Sequence, residues 1–213
     1  MSGLSIEDVS QIEFELDRIQ RSISETNLND FRDSTLRKVA EMTDPEFPSI
    51  RFALETAVLD LLNGGKRLIF DNHFSEGSFK IPINGLIWMG ERVFMQQQVG
   101  QKIKTGFECI KMKVGAIDFN DELSLLKEIR NLGGDQMDLR IDANGAFPNK
   151  EVFRILKQLE MLDLHSIEQP IMPRQPEAMS LICEKSNIPI ALDEDLIGLH
   201  RLDDKKELLT NIK

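Results

Sequence analysis

Apolar positions follow two different periods along this chain, and the change from one to the other divides it. Over residues 5–23 they fall at Val9, Ile12, Leu16, Ile19 and Ile23, the three-and-four spacing of a helix with one buried face. Ser5, with Asp8 three places on, marks its start as a capping pair. A second helical pattern lies near Leu36, Val39 and Ala40. A third opens at Pro48 and Ser49, runs through Phe52, Ala53, Ala57, Val58, Leu61 and Leu62, and stops at Gly64 and Gly65. Residues 1–76 are therefore expected to be mostly helical and to form a first domain.

From Ile81 the texture changes to short apolar runs alternating with helical stripes, the pattern of βα units and a parallel sheet. The strand candidates are "IPINGLI", "CIKMKVG", "DLRIDANG", "HSIEQPI" and "IPIALDE". A helix is predicted over 150–160, where Val152, Ile155, Leu156 and Leu159 share one face. Another follows "CIKMKVG" and ends at Gly133 and Gly134. Residues 77–213 form the second expected domain, an α/β fold.

Side chains alternate along a strand, so Lys111 and Lys113 point one way while Ile110 and Met112 point the other. In a (β/α)8 barrel the apolar face meets the helices, and the C-terminal strand ends form the active site. On the same reading Arg140, Asp142 and Asn144 point inward, as do Ser166 with Glu168, and Asp193. The steps from Lys113 to Asp142, to Glu168 and to Asp193 are 29, 26 and 25 residues, one strand-plus-helix unit each.

Three strands thus end in an inward carboxylate, and parallel neighbours lie about 4.8 Å apart. One such residue alone reads as a helix cap or an ion-pair partner, and "KMK" alone as an edge-strand device. Together they call for a hard divalent cation, Mg²⁺ or Mn²⁺, bound by oxygen donors. A lysine crowded by a second ammonium in a partly desolvated pocket is expected to have its pKa lowered, which suits a general base.

Composition narrows the partners. Of 213 residues, 41% are hydrophobic and 29% charged, with a net charge of −10, which argues against a nucleic-acid surface and for a small-molecule partner. The N-terminus reads as neither a signal peptide nor a membrane span, so a cytoplasmic location is expected. Cys109 and Cys183 are read as reduced, buried thiols. His73, His165 and His200 lack metal-ligand spacing, and His165 is expected to face the helix layer. "GGK" at 64–66 lacks the upstream glycine of a phosphate loop. Trp88 lies near the end of the first barrel strand, where packing is the default reading and substrate contact the minor one.

At these residues the chain resembles the enolase superfamily, and within it the o-succinylbenzoate synthases. The matching segments are "CIKMKVG", "LRIDANGAF", "SIEQP" and "ALDEDLIG", with "FALETAVLDLL" and "INGLIWMG" similar to the synthases as well. The resemblance implies that Lys113 is the acid/base lysine, Lys111 its electrostatic companion, and Asp142, Glu168 and Asp193 the Mg²⁺ ligands, with Asn144 and Glu194 behind them. It implies a small carboxylate substrate and a lyase reaction: loss of water from a succinylated cyclohexadiene carboxylate, giving o-succinylbenzoate for menaquinone biosynthesis. Dipeptide epimerases, N-acylamino acid racemases and cycloisomerases share the same constellation and stand as alternatives. The family also has a mixed α+β capping domain and eight barrel strands, with a second catalytic lysine on the sixth. Against that pattern the sequence reads as a truncated form: a helical remnant of the cap, then about five of eight strands of a TIM-type barrel. A noncatalytic fragment is a further expectation, and this chain alone is expected to show no more than trace activity.

Overall fold

The structure, a computed structural model, describes residues 6–25 and 32–212. The chain divides into two compact units, Met1–Ile81 and Pro82–Lys213.

The first unit holds three helices, α1 (Ile12–Glu25), α2 (Arg32–Met42) and α3 (Pro48–Leu62), with a 3-10 turn at Val9–Gln11 leading into α1. The expected cap at Ser5 lies outside the described residues. Asp8 itself caps the turn, its carboxylate accepting from the Ser10 amide at 2.9 Å. The expected apolar stripe is only partly buried: Ile19 is covered, whereas Val9 is 78% and Leu16 49% exposed. Glu15 is buried in their place. Its charge is met by Arg18 at 2.5 Å and by the Asp44 amide at 3.1 Å, and Arg18 also donates to the Met42 carbonyl at 2.7 Å. Buried carboxylates persist when paired and hydrogen-bonded in this way. Two small apolar clusters complete the unit, Ile19 with Phe47 and Ile50, and Val39 with Met42 and Val58.

The second unit runs β1 (Gly85–Ile87), α4 (Arg92–Thr105), β2 (Cys109–Lys113), α5 (Phe119–Gly133), β3 (Asp138–Asp142), α6 (Val152–Leu159), β4 (Ser166–Glu168), α7 (Pro176–Lys185), β5 (Ile190–Ala191) and α8 (Leu202–Asn211). All five expected strands occur, as one parallel sheet in the order β1-β2-β3-β4-β5. This is the α/β sheet of a (β/α) barrel, each strand passing through a helix to its neighbour. Ile87, Ile110, Met112, Leu139, Ile141 and Ile167 fill one face at 0–1% exposure. They pack with Met95 and Val99 of α4, Leu125, Leu126 and Ile129 of α5, and Ile155 and Leu159 of α6. Each such side chain contributes about 1.5–3 kcal/mol by leaving water. Alternation then assigns Leu86, Lys111, Lys113, Arg140, Asp142, Ser166 and Glu168 to the opposite face. Among the described residues, no helix is long and apolar enough to cross a membrane.

Candidate active site at the strand ends

Register decides which of these polar residues meet. Lys113 pairs with Asp142, and Asp142 with Glu168, so the last residues of β2, β3 and β4 lie on one rung. Lys111, Arg140 and Ser166 form the rung below. Lys113 Nζ donates to Asp142 Oδ2 and to Asn144 Oδ1, both at 2.8 Å. Lys111 reaches up from its own rung to lie 2.7 Å from Glu168 Oε2 and 3.2 Å from Asp142 Oδ2. Asn144 passes the chain of contacts on, its amide donating to Glu194 Oε1 at 2.8 Å.

Asp142 is 2% exposed. Burial alone would raise its pKa, but the hydrogen bond from Lys113 and the positive charges of both lysines outweigh it and hold the carboxyl below the ordinary aspartate value. Lys111 corrects the sequence expectation. Burial does press its pKa down, yet the hydrogen bond to Glu168 and the charges of Asp142 and Glu168 prevail, and its ammonium is held above the ordinary lysine value. The carboxylates, rather than the neighbouring lysine, set the balance at that nitrogen.

Asp193 is not brought into this group. β5 ends at Ala191, which stands level with Glu168, and Asp193 lies two residues further on with an exposed side chain. There the backbone has left the extended region, at φ −130° and ψ −73°, to begin a 3-10 turn at Glu194–Leu196. Among the described residues no three His, Cys, Asp or Glu side chains are clustered to hold a metal ion. Two observations nevertheless fit a hard cation. Asp142 and Glu168 aim one oxygen each at a single positive nitrogen, and Glu194 Oε2 is buried without a hydrogen-bond partner. An all-oxygen donor set with a cation at its focus suits Mg²⁺.

Three residues that the sequence reading passed over hold the loops around this rung. Glu122 is 1% exposed and accepts from the amides of Gly115, Ala116 and Ile117 at 2.7, 3.1 and 3.4 Å, which shapes the loop directly after Lys113. Gln169 is fully buried, in the left-handed region at φ +40°. Its carbonyl oxygen accepts from the amides of Asp193 and Asp195 at 3.2 Å, and its NH2 donates to Asp195 Oδ2 at 2.7 Å. Gln98 of α4 holds the backbone of Trp88. Trp88 itself is 46% exposed, and Lys113 Nζ lies 5.3 Å from the centre of its ring, which favours the minor reading, substrate contact, over packing. The one sequence signal was position: Trp88 and Gln169 each stand next to a strand end, whereas Gln98 and Glu122 lie on helices, where polarity alone marks a solvated face.

The remaining candidates are placed away from the rung. His165 is exposed, its ring 3.1 Å from Ser166 Oγ and 3.5 Å from an Arg140 nitrogen, and does not enter the helix layer. Cys109 and Cys183 are free and half-buried, and burial raises the pKa of both thiols.

Residues 95–207, more than half of the chain, match the family described as Enolase C-terminal domain-like. The chain belongs to that family. As an enolase-type domain it is 44% identical to the o-succinylbenzoate synthase of Desulfotalea psychrophila, over 92% of this chain and 60% of that protein. The crystal structure of MenC from the same organism matches with a TM-score of 0.80 at 40% identity, covering 100% of this chain and 65% of that one. The chain therefore spans about 60–65% of the length of these relatives. A dipeptide epimerase from Cytophaga hutchinsonii, crystallised with Mg and the dipeptide D-Ala-L-Val, matches at TM-score 0.60 and 26% identity, over 75% of this chain and 42% of that one.

Proposed function

We propose that this enolase-type domain carries the acid/base lysine and the metal ligands of an o-succinylbenzoate synthase, a cytoplasmic lyase acting on a small dicarboxylate. The observation that carries the reading is the rung of Lys113, Asp142 and Glu168, bridged by Lys111, in a chain 44% identical to a named synthase. Asp142, Glu168 and Asp193 would hold Mg²⁺, with Mn²⁺ as a substitute. When bound, the metal supplies the positive charge that fixes a substrate carboxylate and stabilises the negative charge built up on it. Free thiols at Cys109 and Cys183 suit a reducing compartment.

The side chains divide the remaining work. Lys113 ends its strand on the open side of the rung, where it takes the proton from the carbon beside the substrate carboxylate. In a syn elimination the hydroxyl leaves from that same face, so Lys113 returns the proton to it and water departs. The electrons of the broken C–H bond become the new ring double bond, and the ring becomes aromatic. Lys111, held charged by Glu168 and Asp142, stays an ammonium throughout and attracts the substrate anion. Asn144 fixes the resting position of Lys113 by accepting its hydrogen bond.

The test is to incubate the purified chain with Mg²⁺ and the succinylated cyclohexadiene carboxylate, and to follow formation of the aromatic product. Trace turnover above the uncatalysed rate that disappears in Lys113→Ala is the expected result. Epimerisation of a dipeptide with no dehydration would replace this reading by the epimerase one.

A further inference from the structure

The side chain of Trp88 lies in an unusual setting for a large apolar ring. It follows directly on β1, and the register that pairs Leu86 with Lys111 places Trp88 level with Lys113 on the chemical face of the sheet. Nearly half of its surface is open, at 46%. The backbone beneath it is fixed: Gln98 Oε1 accepts from the Trp88 amide at 2.9 Å, and Gln98 Nε2 donates to the Trp88 carbonyl at 2.9 Å. The glutamine amide acts as a peptide group of a neighbouring strand would, one residue past the end of β1. An indole that is anchored at its root and open on its face is built to meet something from solution.

Lys113 says what that is. A base works on an atom about 3–3.5 Å away, and the indole centre lies 5.3 Å from the same nitrogen. A carbon approaching Lys113 from the side of the indole comes within contact range of that ring. We infer that Trp88 is a specificity-determining residue, its indole forming the wall against which the six-membered ring of the substrate lies. The inference rests on the function proposed above and adds to it the means of choosing a ring over a chain. Flat rings pair with an indole at centroid distances of about 4.5–7 Å and gain attraction beyond the area they bury. A dipeptide presents no ring there and gains nothing from the wall.

The chain has one tryptophan and no tyrosine, so its indole emission reports on this wall alone. The experiment titrates the full chain, in Mg²⁺, with o-succinylbenzoate and separately with L-Ala-L-Glu, following emission and binding heat in parallel. The expected result is a saturable change in emission with o-succinylbenzoate, at the concentration where heat is released, and none with the dipeptide. Trp88→Leu should weaken o-succinylbenzoate binding by about tenfold, and Trp88→Phe by no more than about threefold, since phenylalanine keeps a flat ring. Binding heat with unchanged emission, or equal affinity in Trp88→Leu, overturns the inference and leaves the proposed function standing. Absence of both binding heat and dehydration in the unaltered chain overturns both. If Trp88→Leu loses its circular dichroism signal, the emission titration and Trp88→Phe decide.

Discussion

Lys111 and Lys113 stand two residues apart on one face of β2, yet they serve different partners. Lys113 shares its protons between Asp142 and Asn144, while Lys111 spans Asp142 and Glu168. The lysine nearer the strand end is the one a substrate reaches. Lys113→Ala is therefore expected to lower kcat by about 10²–10⁴-fold, and Lys111→Ala by less, in steady-state dehydration assays. Equal losses would reverse the two roles. Glu122 offers a separate test at residue scale. Burial is the main cause that holds its carboxyl above the ordinary glutamate value, and the charge of Asp118 adds to the effect, against the three amides that lower it. Its folded pKa is raised, so its contribution to stability is complete below the unfolded value and is lost as pH rises through the folded one. Glu122→Gln should remove that decline. Urea midpoints for both proteins across the acid range would show it, and a pH-independent difference between them would refute it.

At the scale of elements, loops on neighbouring strands meet closely. Gly115, which ends the run after Lys113, has φ +96°, and a Cβ added there would lie 2.2 Å from the Cβ of Ala146 in the loop after β3. Both the backbone and the space demand glycine. Gly115→Ala is expected to cost about 1–3 kcal/mol, read as a lowered denaturation midpoint with no change in slope. The loop after β3 is itself tightly set. Asn144 sits in the left-handed region at φ +44°, and the Gly145 amide donates to the Gln169 carbonyl at 2.7 Å. The residues immediately past Asp142 and Glu168 are thus tied to each other, and displacement of either loop is expected to disturb both carboxylates.

Across the whole molecule, what the sequence revealed was whatever repeats. Alternation in "CIKMKVG" and "DLRIDANG" exposed β2 and β3 because each has one face against the helices, and the even spacing of Lys113, Asp142 and Glu168 follows from one βα unit per step. Glu15, Gln98 and Gln169 were hidden because each also binds backbone amides far along the chain, which no period encodes. The exposed position of Asp193 was not legible, because β5 gives way to a turn held by the Gln169 side chain, and the balance at Lys111 depended on distances across three strands. The proposed metal site belongs to that assembled rung. Mg²⁺ at about a hundred times its dissociation constant should stabilise the fold by about 2.7 kcal/mol, seen as a raised Tm that Asp142→Asn abolishes; an equal rise in the variant would place the ion elsewhere. The side chains that hold loop amides also have a consequence in time. The amides of Trp88, Gly115, Ala116, Ile117, Asp193 and Asp195 lie outside the strands, yet each donates to a glutamine or glutamate of the frame. In deuterated solvent such loop amides are expected to keep their protons far longer than neighbours bonded to water, because they open only when the supporting side chain lets go. Gln98→Ala should release the Trp88 amide alone, and Gln169→Ala those of Asp193 and Asp195 together, each measurable as a local loss of protection while the sheet's own amides remain slow.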